Sequence, residues 1–371
     1  MKRPVPGRIV HLSTVHHSWD NRILNKECRA LAEAGLDVHL VISADEDRTS
    51  HGVQVHAIRR RGRVARLFGS QAESWRALRR LRPAVLHVHD PELIPLAAAW
   101  QRTSGCRFVY DAHEDLVKQI ATKPYLRGRK GALARGAARR LLRLADARCD
   151  AVVAVVPEIA EAFSTTRRGA PRPVLVVRNL PWSSDFRCAD VAANPRLAVY
   201  TGDVSVERGV DKMLDAIRHV PGARLLVAGR ALVPEQRLRA AEQVDYLGLV
   251  PPAELPGIIA RARVGLIFLE RLPNYEGSLP TKVFEYMASG IPFLATDFDY
   301  WQQLFGGVEA GVFVDTDDPE AVRAALTSLL DDPEECARLG RNGRAAVEQR
   351  FGFENDARLL VELERGLAGQ A

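Results

Sequence analysis

The chain has five cysteines in 371 residues, at positions 28, 106, 149, 188 and 336, and no C-x-x-C pair. Such spacing argues against a disulfide framework or a zinc site and fits a reducing compartment. No G-x-G-x-x-G follows the first strand-like run, so a dinucleotide cofactor is not indicated. No apolar stretch approaches the length of a membrane helix. The N-terminal apolar run is broken by His11 and Ser13 and is too short for a signal peptide. A cytoplasmic protein is expected, at most peripheral at the inner membrane face. Aromatic residues make up only 6%. The basic stretches therefore lack the aromatic platform that single-stranded nucleic acid asks for, and nucleic acid is not an expected partner.

What is present is an apolar fraction of 47%, enough for a large core in a chain of two-domain length. Charge is unevenly spread. Residues 1–180 hold 32 Lys and Arg against 17 Asp and Glu, and the rest hold 20 against 29. Much of the excess lies in 59–83 and 123–148. Such a face suits anionic lipid or a charged small substrate, and it equally suits an arginine-rich solvated helix with no specific role.

Short apolar runs alternate with helical patterns. "RIVHLST" (8–14), "DVHLVIS" (37–43), "VQVHAI" (53–58), "AVLHVHD" (84–90), "RFVYDAHED" (107–115) and "AVVAVV" (151–156) read as strands of a parallel sheet. The Pro- and Arg-rich stretch 167–186 reads as a domain edge followed by a linker. A second series then begins with "RLAVYTGD" (196–203) and runs through "ARLLVAG", "VDYLG", "VGLIFL", "PFLATD" and "AGVFVD". The expected class is α/β with two Rossmann-like domains whose parallel sheets face a cleft. The expected boundaries are 1–180, a linker at 181–195, 196–352, and a final helix 353–371 that packs back on the first domain.

In "EGSLPTKVFEYMASG" (276–290), Pro280 suits the first position of a helix that Gly290 ends, with Ser278 or Gly277 near the N-cap. Lys282 then lies in the first turn, where a positive charge is disfavoured unless an anion is present. Glu285 is one turn on, on the same side. A diphosphate at the helix end with a pair of hydroxyls on Glu285 is one reading. A solvated Lys–Glu pair worth about 0.2–0.5 kcal/mol is the other.

Taken in order, "HHSWDNRILNKECRALAEAGLDVHLV", "VYDAHED", "VVRNLP", "YTGDVSVERG", "SLPTKVFEYMASGIPFLATD" and "RFGFEN" resemble the bacterial subgroup of the family-4 retaining glycosyltransferases, which have the GT-B fold. The resemblance covers nearly the whole chain. It implies that Glu285 binds the nucleotide ribose and that the backbone around Ser278, Leu279, Pro280 and Thr281 approaches the diphosphate and donor sugar, beside Gly202. It implies that Arg208 faces the phosphates, that His113 meets the donor sugar across the cleft, and that Tyr246 and Leu247 lie by the base. Two positions depart from the pattern: Gly277 stands where the family's first glutamate falls, and Asp203 where an arginine is usual. Lys282 is expected to supply the phosphate contact instead.

The chemistry the resemblance implies moves a sugar from a UDP- or GDP-type donor to an acceptor hydroxyl, with no cofactor and no metal, since cations already surround the diphosphate. His113, Arg208 and Lys282 are its expected catalytic groups. His16, His17, Trp19, Asp20 and Arg22 are the acceptor-side candidates, with Asp20 or Asn21 fitting equally as a helix N-cap. The acceptor is a sugar, a lipid-linked saccharide or a small molecule, and an anionic membrane surface is an open partner. The competing readings are a non-catalytic relative that binds sugar nucleotide or a partner enzyme, and a nucleotide-sugar epimerase.

Overall fold

Runs of Val, Ile and Leu four to seven residues long, spaced by helices, pair into two sheets. The computed structural model describes residues 3–62, 65–113, 116–117, 120, 128–167 and 169–369. The chain divides into two compact units, Met1–Asn179 with Glu354–Ala371, and Leu180–Phe353.

In the first unit the strands are β1 (Arg8–His17), β2 (Asp37–Ser43), β3 (Arg48–Ser50), β4 (Val53–Ile58), β5 (Val85–Val88), β6 (Arg107–Ala112), β7 (Ala151–Ala154), the hairpin β8 (Thr166–Arg167) and β9 (Ala170–Pro171), and β10 (Val174–Val176). The main sheet runs β10-β7-β6-β5-β1-β2-β4-β3. Every pair in it is parallel except β3 on β4. Parallel neighbours require crossovers, and helices Gln71–Leu81 and Ile94–Ser104 supply those from β4 to β5 and from β5 to β6. From β1 the chain first moves toward β2 and later returns to place β5 on the other side. The crevice at the carboxyl ends of β1 and β5 is therefore the unit's topological switch point, where such sheets bind ligands.

The second unit repeats the plan with β11 (Leu197–Thr201), β12 (Arg224–Ala228), β13 (Val244–Gly248), β14 (Val264–Ile267), β15 (Phe293–Thr296) and β16 (Gly311–Val314), in the order β13-β12-β11-β14-β15-β16. Its switch point falls between β11 and β14. Residues 181–195, expected as a linker, belong to this unit. Ala189 N–H donates to Ser289 O at 2.8 Å, Arg344 Nη1 donates to Ser183 O and Phe186 O at 3.1 and 2.9 Å, and Trp182 packs edge-on against Phe353 at 5.0 Å.

The terminal helix Phe353–Ala368 joins the first unit from Glu354 onward. Its buried stripe, Asp356, Ala357, Leu360, Leu363 and Glu364, has helical spacing but carries two acids, and each has a partner. Asp356 accepts from Arg178 N and Nη2, both at 2.7 Å, and Glu364 accepts from His87 Nδ1 at 2.9 Å.

The loop leaving β11 passes the carboxyl end of β14 so closely that a Cβ on Gly209 would sit 1.8 Å from Phe268 O, at φ +77°. Gly222 has a similar φ of +69°, but its nearest neighbour is 3.8 Å away. Gly222→Ala is expected to cost only the left-handed backbone penalty of about 1–2 kcal/mol. Gly209→Ala adds overpacking of about 1–3 kcal/mol. Urea unfolding of the two variants beside the parent checks the difference.

Candidate functional site

Polar residues recur at a spacing of two on three adjacent strands: His11 and Ser13 on β1, His87 on β5 with His89 just beyond it, and Asp111 on β6 with His113 just beyond it. Alternate residues share a face, and His11 lies opposite His87 in register, so these groups meet. All are buried except His113, which is partly accessible. The rings of His11, His87 and His89 stack with centroids 4.3–5.1 Å apart.

Asp111 is the centre of the cluster. Its Oδ1 accepts from Arg22 Nη2 at 3.1 Å, and its Oδ2 lies 3.2 Å from His89 Nδ1 and 3.1 Å from His113 Nε2. Arg22 also approaches Glu27 Oε1 through Nε at 2.9 Å and donates through Nη1 to Val177 O at 2.7 Å. His89 Nε2 is 2.9 Å from His11 Nδ1. Beside the cluster, the buried Asp90 ties down the end of β1. It accepts from Thr14 N at 2.5 Å, Val15 N at 3.1 Å and Ser13 Oγ at 3.1 Å, and lies 3.2 Å from His16 Nδ1. The His16 and His113 rings are 5.2 Å apart.

Burial opposes charge on every one of these groups, so neighbours decide which keep it. Despite burial, Arg22 and His113 hold the Asp111 carboxyl well below the usual range. Burial would neutralise His87 as well, but Asp111 and Glu364 raise it to about 10. His89, with the same burial and cationic His87 alongside, falls to about 3. Burial and then Asp111 push Glu27 well up. Within the cluster, Arg22 and His87 therefore stay charged opposite Asp111, and His16 beside the cluster holds Asp90 low despite burial.

Two groupings have ligand-type atoms within 4.8 Å of one another: His11, Glu27, His87 and His89, and His89, Asp111 and His113. A metal lies in the plane of a ligating imidazole. His11 and His87, stacked at 4.3 Å with planes 22° apart, do not both aim a lone pair at one point. In the second grouping, Arg22 already occupies the same carboxylate with a positive charge. Hydrogen bonding and the Arg22 ion pair account for the second; in the first, His11 Nδ1 and His89 Nε2 lie 2.9 Å apart, while Glu27 Oε2 and His87 Nε2 have no hydrogen-bond partner among the described residues.

The second unit's site is cationic. Lys282 lies in the first turn of helix Thr281–Ala288, with its Cε and Nζ so close to Gly202, at the end of β11, that a Cβ there would come within 2.9 Å of both. Its ammonium is 5.1 Å from the Tyr200 ring centre, and the Tyr200 hydroxyl donates to Asp203 O at 2.7 Å. Arg208 stands in the turn Val206–Arg208. Burial, and then the like charge of Arg208, bring Lys282 down to about 8 against the pull of Glu285 and Asp203. Tyr286 anchors the helix to β11: its hydroxyl accepts from Thr201 N at 3.2 Å and donates to Val199 O at 3.4 Å.

The start of this helix and the acceptor-side placement of Arg22 are corrected. Pro280 is the N-cap of this helix, not its first residue, because a separate short helix, Pro273–Glu276, ends just before Gly277. Ser278 lies in the loop between them, where its hydroxyl donates to Tyr275 O at 2.9 Å and its carbonyl accepts from Trp301 Nε1 at 2.8 Å. The Tyr246 hydroxyl is taken up by backbone, donating to Gly229 O at 3.0 Å and accepting from Ala231 N at 3.2 Å, while Leu247 is exposed. Asp203 is paired with Arg230 at 2.7 Å. On the acceptor side, Arg22 is buried in the polar cluster, and Asp20 caps the following turns by accepting from Arg22 N and Ile23 N, both at 2.9 Å. His17 and Trp19 are exposed, Trp19 at 69% with Arg48 stacked 4.5 Å from its ring. Residues 114–115 and 123–127 lie outside the described residues.

Sequence reasoning missed Asp90, Asp111, His87, His89, Glu27 and Glu364. His87, His89 and Asp111 carried a signal, polar residues two apart within or just past otherwise apolar strands, and Asp90 stands next to His89 outside that pattern. Glu364 carried none that a local pattern shows.

Two α/β units, each with polar groups at the switch point of a parallel sheet, define the GT-B class. The description "Glycosyltransferase Family 4" matches residues 21–180, and "Glycosyl transferase-like" matches residues 208–362. The chain belongs to the family-4 GT-B glycosyltransferases. It is 30% identical over 200 residues to a D-inositol 3-phosphate glycosyltransferase of Segniliparus rotundus, a match covering 49% of this chain and 43% of that one, so it spans less than half the length of that relative. It is 26% identical over 324 residues to the phosphatidyl-myo-inositol mannosyltransferase of Mycobacterium leprae, covering 83% and 80%. Among solved structures, a sucrose-phosphate synthase from Thermosynechococcus elongatus matches with a TM-score of 0.72 at 18% identity, over 98% of this chain and all of that one. Anabaena HepE, solved in complex with UDP-glucose, matches at 0.68 and 16% identity over 97% and 99%.

Removing Arg22 leaves the Asp111 carboxylate buried without the cation on its Oδ1, whereas removing the Asp20 carboxylate costs a cap. Arg22→Ala is expected to destabilise the protein by about 3–5 kcal/mol and Asp20→Ala by about 1 kcal/mol. Chemical denaturation measures both.

Proposed function

We propose that the protein is a retaining glycosyltransferase that takes a nucleotide-diphosphate sugar of the UDP or GDP type and moves the sugar to an acceptor hydroxyl, in cell-surface polysaccharide, glycolipid or natural-product glycoside synthesis. The observation that carries this is the pairing of Lys282 and Arg208 at the end of β11, beside the first turn of a helix that bears Glu285 one turn further on. Two like charges held together at a helix N-terminus are unfavourable until an anion joins them. HepE, solved with UDP-glucose, has this fold, which supports a sugar nucleotide as that anion.

In this reading Glu285 accepts hydrogen bonds from the ribose hydroxyls, the backbone from Ser278 to Thr281 and Gly202 adjoin the diphosphate, and Tyr246 and Leu247 border the base. The bond from the anomeric carbon to the phosphate oxygen breaks as the bond to the acceptor oxygen forms on the same face. The acceptor proton passes to the departing phosphate oxygen, so the glycosylated acceptor and the nucleoside diphosphate are the only products. Arg208 and Lys282 stabilise the charge on the leaving group, which makes a metal unnecessary. His113 contacts the donor sugar, and His16, His17 and Trp19 are acceptor-side residues.

An acceptor held at an anionic membrane surface fits the first unit. Phe68 and Leu133 are 77% and 76% exposed, and Arg129, Lys130, Arg139, Arg140 and Arg143 are exposed along the helix Gly128–Arg148. Each basic residue near such a surface contributes about 1 kcal/mol.

Calorimetric titration with UDP, GDP, ADP and TDP tests the donor site. One nucleotide is expected to bind the parent and to bind Glu285→Ala at least about tenfold more weakly, since each hydrogen bond to a charged group contributes about 1.5–3 kcal/mol. Binding of none by folded protein rules the reading out. Donor turnover with a screened acceptor separates a transferase from a protein that only binds.

The lowered pKa of Lys282 adds a signed pH dependence. Below about 8 the ammonium is charged and the anion binds. Above it the free protein loses the charge, and Kd is expected to rise about tenfold per pH unit. Lys282→Met is expected to bind about 10–100-fold more weakly at pH 7 and to show no such rise.

A further inference from the structure

We infer that Asp111, backed by His89 and His11, is a positioning residue that fixes His113 with its proton on Nε2, so that Nδ1 offers a lone pair to a ligand hydroxyl. Only the identity of that hydroxyl, one on the donor sugar, rests on the transferase reading.

The assignment follows from where protons can go. His11 Nε2 is buried and has no hydrogen-bond partner among the described residues. A buried orphan N–H is rarer and more costly than an orphan acceptor, so the His11 proton belongs on Nδ1, which then donates to His89 Nε2 at 2.9 Å. His89 is thereby left with its proton on Nδ1, which lies 3.2 Å from Asp111 Oδ2. The same oxygen lies 3.1 Å from His113 Nε2. The alternative, donation from His89 Nδ1 to a bare His113 Nε2 across their 3.0 Å separation, would turn the His113 lone pair toward a carboxylate. An ionised carboxylate is the stronger acceptor, so both N–H groups converge on it. Arg22 on Oδ1 keeps that carboxylate ionised and fixed. The remaining nitrogen, Nδ1 of His113, belongs to the one partly accessible ring of the cluster.

Nitrogen-15 correlation spectra of the histidine side chains report the tautomer directly on the full-length parent, with the His113 signals assigned by their loss in His113→Asn. The expected result is a proton on Nε2 and a bare Nδ1. A proton on Nδ1 in the parent overturns the inference. In Asp111→Asn, if it folds, His113 is expected to become a mixture of tautomers, and an unchanged pattern there overturns the role of Asp111. Donor kinetics provide a second readout. His113→Asn, whose amide oxygen can take the place of Nδ1, is expected to keep at least about tenfold more kcat/KM than His113→Leu, and equal losses count against the acceptor role. If the parent transfers no sugar at all, the transferase reading fails while the spectra still decide the tautomer.

Discussion

A carboxylate removed from water needs compensation within a few ångströms, and the first unit is organised around one, that of Asp111. Arg22 supplies the charge, and two imidazoles are arranged on the other oxygen. Because Arg22 also reaches Glu27 and the carbonyl of Val177, one guanidinium ties β6 to the helical turns after β1 and to the segment following β10. The planar five-donor fork of arginine makes this possible, and a lysine, a point charge, would satisfy one partner at a time. His87 extends the network to the terminal helix through Glu364. Each pair carries the desolvation penalty of both partners, so the cluster contributes specificity of arrangement more than net stability.

The second unit uses the same sheet plan with the opposite electrostatics. Where the first sets Arg22 and His87 directly against Asp111, the second sets the Lys282 ammonium beside the like charge of Arg208, with Glu285 and Asp203 pulling against it. A balanced cluster holds a side chain in place, and an unbalanced one holds a vacancy of charge for a ligand to fill. His113 belongs to the first kind of site and Lys282 to the second. Their tests accordingly differ, a proton position for one and an anion affinity for the other.

The strands were legible because parallel strands buried on both faces read as unbroken apolar runs, and each main strand of the expected series forms within a few residues of its expected bounds. The three-residue β3 and the hairpin β8–β9 are too short and too polar to stand out. The stretch 181–195 reads as a linker by its composition, yet Trp182, Ala189 and the carbonyls that Arg344 holds fasten it to the second unit. Lys282 was legible from a local conflict, a cation in a helix's first turn. Arg22 was misjudged because a charged residue next to a loop looks exposed until its partner, 89 residues away in sequence, is known. The pairing of His87 with Glu364 spans 277 residues, and no local pattern reports it.

That span has a consequence for the order in which the molecule is made. The ribosome delivers the whole second unit before it delivers Glu364, so during synthesis the sheet of the first unit waits with His87 lacking its carboxylate and with the surface that Leu360 and Leu363 cover still open to water. Of the two units, the one whose synthesis starts earlier is therefore completed later. A nascent chain stalled before residue 354 presents a finished second unit beside an unfinished first one, and that gap is the interval in which a chaperone has most to protect.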